Sequence, residues 1–473
     1  MALPKITFLG AGSGFTAKIT RDVMLIPGLK GGEMRLVDID AKRLKITTGL
    51  IKSLAEYMRE KHGLKWKVVG TVDRRKVLRG TDYIINCIEV SGTKCVRADN
   101  DIPLKYGIDQ CIGDTIGPGG IFKALRTVPA WIDILRDAEK YCPRALVLNY
   151  TNPMSIMTLA AVRNTGAQVV GLCHSVQGAS RKMAHLAGVP HEELSFRCGG
   201  LNHLAFMTEL RHRGRDLYPA IISRARTEKK VYESDPVRFE ILFHFGAFPT
   251  ESSGHWSEYV PYFRKRPDTL KKYTRDGYRG GSSFYADNWP KWRKDRDRER
   301  NRLARDITRM SMERGHEYAS NIIEAHYFNR PQVIYGSVAN NGLIPNLLGD
   351  GVVEVATLVD NTGFNPCAFG RLPSQMAAIC LTHMPVYDLA VQGIMNGDRE
   401  AIYYAMQLDP LTAAVCTPAE IRQMTDEMAL AEKKFIPAWM TRGLKRVRSS
   451  HRRISVGGRR TKRRTKDRGP GTF

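Results

Sequence analysis

Several short stretches of this chain collect residue types that can do chemistry. Gly10-Ala11-Gly12-Ser13-Gly14 lets the backbone turn sharply and approach a pyrophosphate closely, while a helix starting behind it directs its positive end at the negative charge. The third glycine of a G-x-G-x-x-G spacing falls at position 15, which is Phe15, so the loop departs from the common dinucleotide fingerprint. Asp38 closes the next strand-like run, where a carboxylate bonds ribose hydroxyls and favours NAD over NADP. Cys173-His174-Ser175 and Asn202-His203 supply a thiolate and an imidazole, donors that suit a borderline transition metal and leave positions for substrate oxygens. By spacing alone, a buried cysteine beside a hydrogen-bonded histidine outranks that metal site. Asn149-Tyr150-Thr151-Asn152-Pro153 offers amides suited to sugar hydroxyls and is equally an ordinary turn. In TESSGHWSEYVPYF, Glu251, Glu258, Tyr259 and Tyr262 are acid–base candidates, although tyrosines at this spacing more often pack than react.

The elements around these residues place them consistently. KITFLG reads as a buried strand, the glycine turn follows it, a helix begins near Phe15, and MRLVDID is a second strand ending in acids: a βαβ unit. TDYIINCIEV and RALVLNY are further strand-like runs, VVGLCHS another strand with its exit loop, and VPAWIDILRDAEKY has helical periodicity. That alternation requires a parallel sheet with crossover helices. Open sheets of this kind bind ligands at the carboxyl ends of their strands, which is where Cys173, Asn149 and the glycine loop fall. From about residue 195 onward the pattern mixes strands and helices. The run KWRKDRDRERNRLARDITRM predicts a charged amphipathic helix with a solvated face. The expected organisation is a dinucleotide-binding domain over 1–195, a mixed α+β domain over 196–440 and a basic tail over 441–473.

Composition narrows the classes. A chain of 473 residues with 42% hydrophobic content can bury a large core. No stretch reaches the roughly 18 uncharged apolar residues of a membrane span, and the opening apolar run is too short and glycine-rich for a signal peptide, so a cytoplasmic enzyme is expected. Nine scattered cysteines form neither a disulfide framework nor a zinc finger. The formal charge of +25 suggests nucleic acid, but residues 441–473 hold thirteen Lys or Arg against the single acid Asp467. That segment has too little apolar surface to offset its ordering entropy, and nucleic-acid binding is not the expected activity.

Taken together, KITFLGAGS, LVDID, DTIGPGGIFKALRTVP, LNYTNPM, GLCHSVQG, RCGGLNHLAF, TESSGHWSEYVPYF, VIYGSVANNGLI and VVEVATLVD resemble glycoside hydrolase family 4, and within it the bacterial α-galactosidases of the melibiase type, from about Pro4 to Trp439. The resemblance implies an α/β fold, a Rossmann-type parallel sheet like that of lactate and malate dehydrogenases with a mixed α+β C-terminal domain. It implies NAD, held by Gly10, Gly12, Ser13 and Asp38, and a divalent metal, usually manganese (Mn2+), held by Cys173 and His203. Tyr259 is then the base that removes the C2 proton of the sugar, with Tyr262 second. His174 assists the leaving oxygen, Asp114 joins the catalytic group, and Asn149 and Arg97 bind substrate. The reaction implied is hydrolysis of an unphosphorylated α-galactoside by oxidation at C3, elimination and water addition. This sets the family apart from two-carboxylate glycosidases. The CHS sequence at 173–175 is the reason for an unphosphorylated substrate. Related α-galacturonidase or α-glucosidase activities are the alternatives, with a hydroxy-acid dehydrogenase behind them. The family also implies a homodimer or homotetramer.

Overall fold

The computed structural model describes residues 2–445, so most of the basic tail, 446–473, lies outside the described residues. The chain forms two compact units, neither continuous in sequence. Of the described residues, the first comprises 2–92, 126–173 and 293–372; the second comprises 93–125, 174–292 and 373–445.

The first unit is built on β1 (Lys5–Leu9), β2 (Gly31–Val37), β3 (Lys65–Thr71), β4 (Tyr83–Asn86), β5 (Leu146–Asn149) and β6 (Gln168–Leu172). These pair in parallel in the order β3-β2-β1-β4-β5-β6, the arrangement of the doubly wound dinucleotide-binding fold. Ile6, Phe8 and Leu9 of β1 and Tyr83, Ile84 and Ile85 of β4 are buried. That burial explains why these strands read as unbroken apolar runs. Helix Ala41–His62 starts where the Asp40 carboxylate accepts from the backbone of Lys42 and Arg43, and it stops at Gly63 in left-handed conformation, as capping chemistry requires. Late in the chain, β11 (Gln332–Ala339), β12 (Val352–Asp360) and β13 (Gly363–Pro366) return to this sheet. There β11 runs antiparallel to β6, β12 to β11 and β13 to β12.

The second unit is α+β. Between the units' strands in chain order come β7 (Leu194–Leu201), β8 (Leu204–His212), β9 (Arg215–Asp216) and β10 (Phe248–Pro249). They are antiparallel, with β7 and β10 flanking β8 and β9 pairing its far end. Helices Gly117–Tyr141, Ser175–Ala187, Ser374–Asn396 and Pro418–Glu432 complete the architecture in chain order, the first of them running on into the first unit. Among the described residues no helix is long and apolar enough to cross a membrane.

The helix predicted from KWRKDRDRERNRLARDITRM forms within Phe284–Arg305, but its face is not simply solvated. Arg300 is buried, with its guanidinium on the carbonyls of Gly12 and Ser13.

Candidate active site

The glycine loop leaves β1 as expected. Gly10 has φ +73°, and a Cβ there would lie 2.4 Å from the Cys87 carbonyl oxygen, so only glycine fits this turn. The Gly12 backbone N–H donates to the Asp38 carboxylate at 2.6 Å, tying the loop to the end of β2. A Cβ at Gly12 would crowd that carboxylate at 2.8 Å. The Ser13 hydroxyl accepts from the Phe15 N–H at 3.2 Å, just ahead of helix Thr16–Met24. Gly10, Gly12, Ser13 and Asp38 therefore meet at one edge of the sheet, at strand carboxyl ends. Asn149 closes β5 fully buried. Its amide oxygen accepts from Asn86 at 2.8 Å and its amide nitrogen donates to the Thr151 carbonyl at 3.1 Å, so the side chain shapes the turn that follows. Cys173 follows β6 as the last residue of the first unit.

In the second unit a buried polar cluster forms around the turn joining β7 to β8 and the short helix Ser253–Tyr259. His203 Nε2 lies 3.5 Å from Glu251 Oε2, and His255 Nδ1 lies 3.3 Å from Glu251 Oε1. The two imidazole rings meet edge to face at 4.7 Å. His203 and Glu251 both adopt left-handed backbone, with φ 62° and 65°. For non-glycine residues that is strain of about 1–3 kcal/mol each, which persists where the surrounding structure over-determines the conformation. Burial drives the His255 pKa down to about 4 despite Glu251, so its imidazole is neutral near pH 7. Burial would raise Glu251, but His255, His203, Arg238 and His174 outweigh it and hold the carboxyl below its ordinary range.

Asp114 belongs to the same cluster. Its carboxylate is 3.2 Å from Lys123 Nζ. Burial opposes its ionisation, yet Lys123, His255 and His203 keep it low. Tyr259 is 2% exposed. Burial lifts its phenol well above the usual value, Tyr387, Asp114 and Glu251 add to this, and a hydrogen bond from Thr115 opposes it. The Tyr259 carbonyl is fixed by His383 Nε2 at 2.7 Å. Tyr262, the second tyrosine candidate, is 43% exposed and lies against Phe245, outside the cluster. His174 sits at the N-terminus of helix Ser175–Ala187. Arg97 is half-exposed and pairs with Asp287 at 2.6 Å and Asp101 at 3.4 Å.

No sequence pattern points to His255, Lys123, Thr115 or His383 as strongly as to the residues above. His255 follows Glu251 by four residues, a spacing that could have revealed it; His383 lies mid-helix in Ser374–Asn396 with no local signal.

Glu258, the other carboxylate of the acid–base candidates, is buried. Its carboxylate accepts from the consecutive backbone N–H groups of Cys111, Ile112 (2.6 Å) and Gly113 (3.2 Å), and so holds the loop that carries Asp114. Burial pushes its pKa from 4.5 up to about 7 in spite of Arg264 and those N–H bonds. The folded protein therefore holds this proton more tightly than the unfolded chain. The resulting stabilisation is complete below pH about 4.5 and lost as pH rises through about 7. Denaturant unfolding at a series of pH values is expected to show wild type losing stability relative to Glu258→Gln across that window, on the order of 3 kcal/mol at most. A pH-independent difference would show that Glu258 does not titrate there.

A doubly wound nucleotide-type unit together with a buried acid–base cluster defines this chain as a Rossmann-type α/β enzyme. The pattern described as "Family 4 glycosyl hydrolase" matches residues 5–189, and that of the "Family 4 glycosyl hydrolase C-terminal domain" matches 198–412. The chain belongs to family 4 of the glycosyl hydrolases. An α-galactosidase of Bacillus subtilis (strain 168) is 38% identical over 443 residues, covering 92% of this chain and all of the relative. An α-galactosidase of Rhizobium meliloti (strain 1021) is 36% identical, covering 93% of this chain and 90% of the relative. Among solved structures, a 6-phospho-α-glucosidase from gut microorganisms in complex with NAD and Mn2+ superposes with a TM-score of 0.76 at 21% identity, covering 92% of this chain and 99% of that one.

Proposed function

We propose that this protein is an α-galactosidase that hydrolyses unphosphorylated α-galactosides by transient oxidation at C3. The observation that carries the reading is the second-unit cluster: the imidazoles of His203 and His255, the carboxylates of Asp114 and Glu251, and the buried phenol of Tyr259 converge there, in a chain whose first unit carries a glycine loop tied to Asp38. Two full-length relatives named α-galactosidase support the substrate.

The donor set fits a divalent transition metal. By residue chemistry, Cys173 after β6 offers a thiolate, and His203 and Glu251 in the second unit offer an imidazole and a carboxylate, the donor types such a metal takes. The glycine loop, with Asp38 at the neighbouring strand end, fits a dinucleotide. When bound, NAD would supply the hydride acceptor for C3 and a divalent metal the Lewis acid at its oxygen, which together acidify the C2 proton. The chain's own residues do the rest. Tyr259, held in place by burial and by the bond from His383 to its carbonyl, takes the C2 proton in its ionised form, the phenolate oxygen becoming the neutral phenol. Asp114, paired with Lys123, orients that phenol through the shared loop with Thr115. His174 gives a proton to the departing glycosidic oxygen, and Arg97 and Asn149 orient the sugar or the loops against it. The same reading makes the enzyme a cytoplasmic homodimer or homotetramer; the described residues contain no disulfide.

Hydrolysis of nitrophenyl α- and β-glycosides should require NAD, manganese and a thiol reductant together, with neither NAD nor metal consumed. NADH accumulating in proportion to product would overturn this in favour of a dehydrogenase. A preference for α-galacturonide or α-glucoside would keep the mechanism and replace the substrate.

A further inference from the structure

The carboxyl-terminal half of helix Phe284–Arg305, from Arg293 on, belongs to the first unit and brings its arginines to the glycine loop. Arg300 is 7% exposed. It donates to the carbonyls of Gly12 and of Ser13 (3.2 Å), and its other arm reaches Asp297 at 2.9 Å. Asp297 in turn accepts from Arg43, the residue whose side chain lies beside Gly12 and Asp38. Arg296 lays its methylenes 3.4 Å from where a Gly14 Cβ would stand, and the Arg293 guanidinium lies 3.3 Å from the Cβ position of Gly92 in the chain after β4. One helical segment thus reaches the exit loops of β1 and β4 and, through Arg43, that of β2. Burial, together with the neighbouring positive charge of Arg43, makes the Arg293 and Arg300 guanidinium groups less ready to hold charge than usual. An anion at this edge would relieve that repulsion.

We propose that residues 293–300 form a retention strap for the dinucleotide, pinned by Arg300 to the glycine loop and latched by the Arg43–Asp297 pair, so that the cofactor enters and leaves only when the latch opens. The inference rests on the reading that the glycine loop binds NAD. Such a strap suits redox-neutral chemistry: the hydride taken from the sugar is returned to it, so a turnover never requires the cofactor to exchange. A cofactor-exchanging dehydrogenase would be slowed by the same device.

The test is the exchange rate of NADH on the full-length protein, read by its fluorescence on mixing and on displacement with excess NAD. Arg300→Met removes the guanidinium while keeping the stem, and Asp297→Asn removes the charge of the latch. Loss of charge-assisted bonds of this kind predicts that both association and release quicken about ten-fold or more, with the dissociation constant changing less than about three-fold. Arg298→Ala, on the exposed face of the same helix, is the control and should behave as wild type. Unchanged rates in both variants, or faster release with unchanged association, would overturn the strap. If Arg300→Met does not fold, Asp297→Asn carries the test alone. Wild-type protein that binds no NADH would instead overturn the cofactor reading itself.

Discussion

Cys173→Ser and His203→Ala are each expected to lower α-galactosidase turnover by at least about a hundred-fold at fixed manganese, with the fold intact by circular dichroism. The loss of a metal's direct donor should exceed the 10–100-fold typical of removing the groups that merely orient donors. Serine keeps nearly the shape of cysteine, but its hydroxyl stays protonated where a thiolate binds a metal. A change in affinity without a change in packing therefore isolates the donor chemistry. His203 offers a second signature. Its left-handed backbone (φ 62°) holds the imidazole beside Glu251, so His203→Gly should lose the same binding as His203→Ala while relieving the backbone strain that alanine keeps: the more stable of the two variants, and equally inactive. Manganese titration by calorimetry separates the cases. Undiminished affinity with full activity in Cys173→Ser would make Cys173 a packing residue.

Tyr259→Phe is expected to reduce turnover by roughly 10²–10⁴-fold, the range for loss of a positioned general base, while leaving substrate affinity within a few-fold. The ring is 2% exposed and surrounded by Thr115, His383 and Tyr387, so phenylalanine preserves the packing and loses only the oxygen. In wild type, deuterium at C2 should slow turnover, because elimination breaks that bond whereas displacement at C1 leaves it untouched. The phenol sits well above its ordinary pKa through burial and the carboxylates of Asp114 and Glu251. Turnover should accordingly climb with pH on the limb that reports phenol ionisation, and that limb should vanish in the variant. If Tyr259→Phe keeps wild-type turnover and no C2 isotope effect is seen, the oxidation–elimination mechanism fails. Wild-type activity in Tyr259→Phe beside a dead Tyr262→Phe would move the base to the other ring, against its 43% exposure.

The parallel sheet was legible because unbroken apolar runs such as YIIN and LVLN alternate with amphipathic helices, and burial on both faces leaves no other pattern for such strands. The glycine loop and Asp38 were legible for the same local reason: a turn and the next strand end lie within thirty residues. The donor roles proposed for Cys173 and His203 are not legible on spacing alone. Only the surrounding blocks of sequence gave them weight, since a thiol and an imidazole carry no periodicity. Arg300 reads as part of a solvated face because its charge pattern is that of an exposed helix, while its partners, Gly12 and Ser13, lie almost 290 residues earlier. Sequence alone does not separate the role of Glu258 from that of Glu251. Its three backbone donors come from residues 111–113, a relation no local window contains. The return of β11, β12 and β13 to the first sheet was hidden likewise, because an alternating strand does not announce which edge it will join.

That return has a consequence for how the protein is made. When β6 emerges from a ribosome, the strand that will cover its open edge has yet to be synthesised, and some 160 residues separate the two. At ordinary elongation rates of about 5–20 residues per second, the nascent chain carries an apolar, unpaired sheet margin for roughly ten seconds or longer. Such a margin is a template for pairing with other chains. The first unit therefore does not mature in the order in which it is translated. Slowed synthesis between residues 173 and 332, or truncation there, should show up as aggregation and chaperone dependence rather than as a soluble half-enzyme.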